Sequence, residues 1–194
     1  MNLEKTKHKL TATGNIKSDN GNAGNTKSTN GTSQRPPMMP AHVRAGQVIG
    51  LVEVTGGLGS IIDVSKLADE LGADLTTLLP ILDTAEMLGL VRSEKGDVSL
   101  TDFGLKFQKM AKNKIRLLKD PLSKIEPFKS ALDLVSKKKS VSAHDIAESL
   151  LERDLRWHHK AEINEALIQA LLVHWAIYAE LLSYNGKTGK FQRL

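Results

Sequence analysis

Residues 74–101 read DLTTLLPILDTAEMLGLVRSEKGDVSLT, and the fold turns on how this stretch divides. Asp74 is a capping residue type, and from it a helix runs to about Leu88, where Gly89 closes it. Pro80 removes one backbone donor from that helix, which implies a late start or a kink. Beyond Gly89 the period changes. Leu90 to Glu94 and Val98 to Thr101 alternate around a turn at Lys95, Gly96 and Asp97, as a two-stranded hairpin should.

Upstream, residues 44–54 carry Ala45, Val48, Ile49, Leu51 and Val52 at helical spacing, and Gly56, Gly57 and Gly59 are expected to stop that helix. Ser60, Ile61 and Ile62 make a short β-branched strand, and Asp63 caps a second helix with Val64, Leu67, Ala68 and Leu71 on one face. Gly72 ends it. Three helices, a short strand and a terminal hairpin predict a winged helix-turn-helix.

The pattern then partly repeats. Leu67 to Leu71 is echoed by Ile146 to Leu150, and Met87 to Val91 by Ala179 to Ser183, again ahead of a hairpin with its tip at Gly186. A helix from Thr101 to about Lys119 and another begun by Asp120 and Pro121 are expected between the copies. The expected class is mainly α with small β wings: a winged helix-turn-helix followed by a second, helical winged-helix-like unit. Its divisions are a disordered polar basic tail over 1–40, a first unit over 41–106, connecting amphipathic helices over 107–140, and a second unit over 141–194. The tail reads as disordered because 11–34 is almost entirely Asn, Gly, Ser, Thr and Lys. Arg35 to Pro40 follows as a stiff connector.

The 194 residues contain no cysteine, which excludes a disulfide scaffold, a thiolate nucleophile and a zinc finger, and suits a reducing cytoplasm. No run of 18 apolar residues exists to span a membrane, and the first 40 residues lack the apolar stretch of a secretory signal. Without that signal, the sequon Asn30-Gly31-Thr32 reads as accidental. The net charge of +5 is unevenly spread. Residues 1–40 hold six basic side chains against two acidic, residues 43–106 five against ten, and residues 107–194 sixteen against ten.

That distribution argues against base reading by the first unit. Its third helix, where a DNA reader needs basic or amide side chains, carries only Asp83 and Glu86 as charges. Leu75, Leu78, Leu79 and Ile81 instead suggest a surface for another protein or for the chain's own second half. Lys106, Lys109, Lys112, Arg116 and Lys119 fall in one helical band, and Lys137, Lys138 and Lys139 form a loop cluster. These either contact phosphate, lipid headgroups or an acidic partner, or are a solvated face; the same charges suit an intramolecular fit onto the acidic first unit.

No catalytic or cofactor motif emerges. The glycines at 56, 57 and 59 lack the Lys-Ser or Lys-Thr of a phosphate loop, and Gly186-Lys187-Thr188 has Leu181 where that loop needs its first glycine. His158, His159 and His174 with Glu162 have poor ligand geometry, because adjacent helical residues point about 100° apart. An enzyme is not expected, nor a cofactor or metal.

These residues together resemble a known family. Residues 45–53 (AGQVIGLVE), 63–71 and especially 74–91 (DLTTLLPILDTAEMLGLV) are similar to the AAA-associated C-terminal domain, as are Gly96 to Thr101, Gly104, Phe107 and the stretch Trp175 to Leu181. The resemblance covers roughly 41–194. It implies a domain of the kind that follows the ATP-binding subunit of nitrate, sulfonate or bicarbonate-type ABC transporters, here with a polar tail in place of the ATPase module. Ala176 and Ile177 stand where that family has Gly-Arg. The implied function is an accessory or regulatory protein acting beside a transporter ATPase subunit in the cytoplasm, with a homodimer also open. The alternatives are a transcriptional regulator binding DNA through the basic half and, more weakly, a small-oxyanion sensor.

Overall fold

In the first half, helix α1 (Ala45–Leu58), strand β1 (Ile62–Asp63), helices α2 (Val64–Leu71) and α3 (Leu75–Met87), and the hairpin β2 (Val91–Glu94) and β3 (Asp97–Leu100) follow in order. The description rests on a computed structural model and covers residues 36–59 and 61–194; the expected disorder of 1–35, and the sequon within it, lie outside the described residues. The start and stop signals act as the residue chemistry predicts. Asp63 accepts from the amides of Ser65 and Lys66, and Gly72 closes α2 in the left-handed region at φ 59°. Asp74 accepts from the Thr77 amide. Hydrogen bonds from the Thr76 and Thr77 hydroxyls and the Thr77 amide hold its carboxyl below the ordinary carboxylate range. Helix α1 runs through Gly56 and Gly57 to Leu58 instead of stopping before them. A Cβ at Gly56 would lie 2.1 Å from the amide end of the Gln108 side chain, which would have to swing aside.

Helix α4 (Asp102–Lys109) follows, with the Thr101 hydroxyl accepting from the Gly104 amide. Gly104 lies against the Leu90 carbonyl, 1.9 Å from where a Cβ would stand. The single helix expected from Thr101 to Lys119 is not found. Met110 turns extended at ψ 119°. Asn113 then adopts φ 57°, a conformation its short polar side chain tolerates, and the chain restarts as a 3-10 turn (Lys114–Leu118). Helix α5 (Lys119–Ser123) is short, with Pro121 inside its first turn.

The second half contains helix α6 (Phe128–Lys138), strand β4 (Ser140–Ser142), helices α7 (Ala143–Leu151) and α8 (Ala161–Leu171), a π-helical segment (Leu172–Ile177), and the hairpin β5 (Leu182–Asn185) and β6 (Lys190–Arg193). The two sheets have the same plan. In both, the lone strand pairs antiparallel with the second hairpin strand, giving orders β1-β3-β2 and β4-β6-β5. The expected class of helices with small β wings therefore holds. Helix α6, assigned from sequence to the connecting region, packs on β4 and β6 as α1 packs on β3. Ser142 caps α7 as Asp63 caps α2, 79 positions earlier. After α8 the sequence match slips by one from the expected pairing. Glu180 at φ 56° stands where Gly89 at φ 72° closes α3. The Leu181 amide bonds Ala176 O as the Leu90 amide bonds Ala85 O. The extra length lies mainly between α7 and α8.

Ser142 and Asp145 cap α7 reciprocally: the Ser142 amide and hydroxyl reach Asp145 Oδ2 at 2.8 and 2.6 Å, and the Asp145 amide reaches Ser142 Oγ at 3.1 Å. Those bonds, led by the Ser142 hydroxyl, lower the Asp145 carboxyl to about 2 from its ordinary 3.8. A carboxyl depressed by folding stabilises fully above its unfolded pKa and loses that contribution as pH falls through the folded value. Ser142→Ala is expected to cost about 1 kcal/mol near neutral pH. Its difference from the parent should shrink as pH falls from 3.8 toward about 2, measured by urea unfolding across that window.

One core unites the halves, taking in Met39, Leu51, Phe107, Phe128, Trp175 and Phe191. Met38 and Met39, expected in the tail, pack into it, and Met39 is fully buried. The Met39 amide bonds Glu126 O and the Glu126 amide bonds Pro37 O, both at 2.9 Å. The indoles of Trp157 and Trp175 donate to Met39 O and Val43 O, each at 2.9 Å. The strap from 36 to 43 thus supplies backbone partners to the second half before α1 begins the first. Among the described residues, one ion pair, Lys114 to Glu53 at 2.7 Å, joins the basic half to the acidic unit. Charge complementarity is therefore a minor part of a mainly apolar seam.

Candidate protein-interaction surfaces

Helix α3 packs on α1 through its apolar side, and this decides which of its leucines remain available. Leu78 and Ile81 are 0% and 8% exposed and belong to the core, so they cannot form the contact surface expected of them. Leu75 and Leu79 are 45% and 46% exposed. With Asp83 and Glu86, also exposed, they make one stripe, because residues three or four apart stack along a helix face. The stripe is apolar at its N-terminal end and acidic at its C-terminal end. Glu86 also accepts from the Ser93 amide at 3.0 Å, fixing its carboxylate beside β2.

The equivalent helix of the second half, α8, exposes Glu162, Ile163, Ala166 and Gln169 and carries a half-buried Glu165. His144 on α7 contacts Glu148 at 3.4 Å and Glu165 at 3.3 Å. Neither third helix presents a basic side chain. Between α7 and α8 lies a cavity of about 70 Å³, lined largely by apolar groups including Leu150, Leu151, Leu155, Trp157 and Ile168.

The basic band does not exist as one helical face. The break at 110–113 leaves Lys106 and Lys109 on α4, Lys112 in the bend after it, and Arg116 in the 3-10 turn. Arg116 donates to Glu180 through Nε at 2.8 Å and through Nη2, and Lys119 stands 3.8 Å from the same carboxylate. Among the described residues, Lys106, Lys109 and Lys112 have no ion-pair partner. Lys137 and Lys138 occupy the last turn of α6 instead of a loop, and Lys139 caps it at φ 62°. Lys138 pairs with Asp145 at 3.2 Å.

No group of three or more His, Asp or Glu placed to hold a metal occurs among the described residues. The rings of His158 and His159 are 6.4 Å apart, and His158 Nδ1 accepts from the Lys160 amide. No helix among the described residues is long and apolar enough to cross a membrane.

One polar cluster escaped the sequence. Glu126 is fully buried, accepts from the Ser130 amide and hydroxyl at 3.0 and 2.6 Å, and pairs with Arg153 at 2.8 Å. Arg153 also donates to the Ser130 hydroxyl. Nothing in the spacing of 126, 130 and 153 advertises a pair, because a loop and two helices must fold before they meet. The cluster holds the backbone against which the strap lies.

These features define a class: a mainly helical protein of two similar halves, each with a small three-stranded sheet and a third helix free of basic residues. The model of the C-terminal AAA-associated domain matches residues 65–185, and the chain belongs to that family. Searches of curated proteins and of solved structures find no match.

Proposed function

We propose that the chain is a non-enzymatic accessory or regulatory protein of the cytoplasm that acts by contact with a protein partner, the ATPase subunit of an ABC-type transporter. Two winged-helix-like units serve as its scaffold, with both third helices turned from base reading to protein contact. Family membership supports the ATPase context. The observation that carries the contact reading is the exposure of Leu75 and Leu79 beside Asp83 and Glu86 where a DNA reader needs basic side chains. Duplex DNA is the second reading. It draws on Lys137, Lys139, Lys187, Lys190 and Arg193 in the second half, but Glu162 and Glu165 on α8 oppose a phosphate backbone.

The test is capture of a purified transporter ATPase subunit by the full chain and by its Leu79→Glu variant. Because Leu79 is half exposed, the variant should keep the parent's circular dichroism and melting temperature. Its affinity should fall at least about thirtyfold, the effect of losing a contact worth ~2 kcal/mol. Equal capture of both forms, or salt-dependent binding of duplex DNA without any ATPase capture, would overturn the reading.

A further inference from the structure

The partner chemistry that the α3 stripe requires is present elsewhere on the same molecule. Helix α4 exposes Leu105, which is 40% accessible, together with Lys106 and Lys109. Asp102 stands at its N-terminal end. Along α3 two leucines precede two carboxylates; along α4 one leucine precedes two ammonium groups. Asp83, Lys106 and Lys109 make no ion pair among the described residues, so no described residue neutralises either charge cluster by pairing with them.

We propose that α3 of one copy docks against α4 of a second copy of this chain. The two helices run the same way, with Leu105 covering Leu75 and Leu79, and Lys106 and Lys109 over Asp83 and Glu86. The order of apolar and charged groups along each helix sets this direction, because the reverse would place the ammonium groups over the leucines. A helix rises about 1.5 Å per residue, so the carboxylates lie roughly 11 Å beyond the leucines. With Leu105 level with Leu79, Lys109 comes level with Asp83, since each charge stands four residues beyond its leucine. Each copy carries both halves of the contact, so association needs no other component. Two short stripes fall below the area of a permanent interface, and the contact is weak and sensitive to salt. The inference rests on the reading of α3 as a protein-contact surface and names what covers that surface when no other partner does.

Sedimentation of the full chain over a concentration series, at low and high sodium chloride, tests it. Two variants are compared with the parent: Asp83→Lys with Glu86→Lys, and Lys106→Glu with Lys109→Glu. All four positions are exposed, so both variants should retain the parent's circular dichroism, the first melting slightly lower because Glu86→Lys removes the acceptor of the Ser93 amide. Self-association should appear at low salt and weaken by about tenfold or more in each variant alone. An equimolar mixture of the two should restore it, because the second variant keeps its acidic α3 and the first its basic α4. A parent that stays monomeric at low salt, variants that associate as the parent does, or a mixture that fails to recover would each overturn the proposal. If the ATPase subunit is still captured in any of those cases, the contact reading of α3 stands and only its self-pairing falls.

Discussion

Arg153→Ala should cost about 3 kcal/mol of stability, among the largest effects any single change in this chain will show. The reason is the carboxylate it leaves behind. Glu126 is fully buried, and among the described residues Arg153 supplies its cationic partner, at 2.8 Å. With the guanidinium gone, the Ser130 amide and hydroxyl still donate, but the charge stays in a low-dielectric site uncompensated. The Arg153 side chain is 41% exposed, so water screens part of the pair and the loss sits at the lower end for buried ion pairs. Adding Glu126→Gln to the alanine variant should recover a good part of the deficit, since the amide oxygen still accepts from Ser130 without a charge to neutralise. Urea unfolding of the two single variants and the double variant reads this as a coupling energy. Independent, additive losses would show that Glu126 and Arg153 do not act as a pair.

The second large effect belongs to Trp175. Its indole is fully buried in the π-helical segment and donates to Val43 O at 2.9 Å, so one side chain both fills the core and holds the strap. Trp175→Ala should cost about 3–5 kcal/mol through the lost apolar surface and the cavity left behind. Trp175→Phe keeps most of the apolar area and leaves the Val43 carbonyl without its donor, for about 1 kcal/mol of additional loss. Thermal unfolding separates the two contributions. If phenylalanine proves as damaging as alanine, the hydrogen bond to the strap outweighs the packing.

Local chemistry was legible wherever a residue answers to its immediate neighbours. Asp63, Asp74 and Thr101 accept amides where their spacing predicts caps, and Gly72 and Gly89 take positive φ where helices must end. The second half was recognisable from its repeat, but its first helix was misassigned, because α6 carries no echo of α1 and joins its sheet only by packing. The basic band failed for a related reason. A helical wheel assumes an unbroken helix, and Asn113 in the left-handed region breaks this one.

The candidate surface divides in the same way. That the third helix lacks cations and bears leucines was plain from residues 75–88. Which leucines remain exposed depends on the side that α1 covers, and that removed Leu78 and Ile81 from the surface while leaving Leu75 and Leu79. The polar heart at Glu126, Ser130 and Arg153, and the strap whose carbonyls meet the indoles of Trp157 and Trp175, had no local signature. By itself the sequence determined the helices, hairpins, caps and uneven charge, since each follows from interactions within a few residues. Only the tertiary structure decided which faces are buried, where the lysines find carboxylates, and that Met39 belongs to the core. Those outcomes depend on contacts between segments far apart in the chain, where burial and desolvation outweigh local preference.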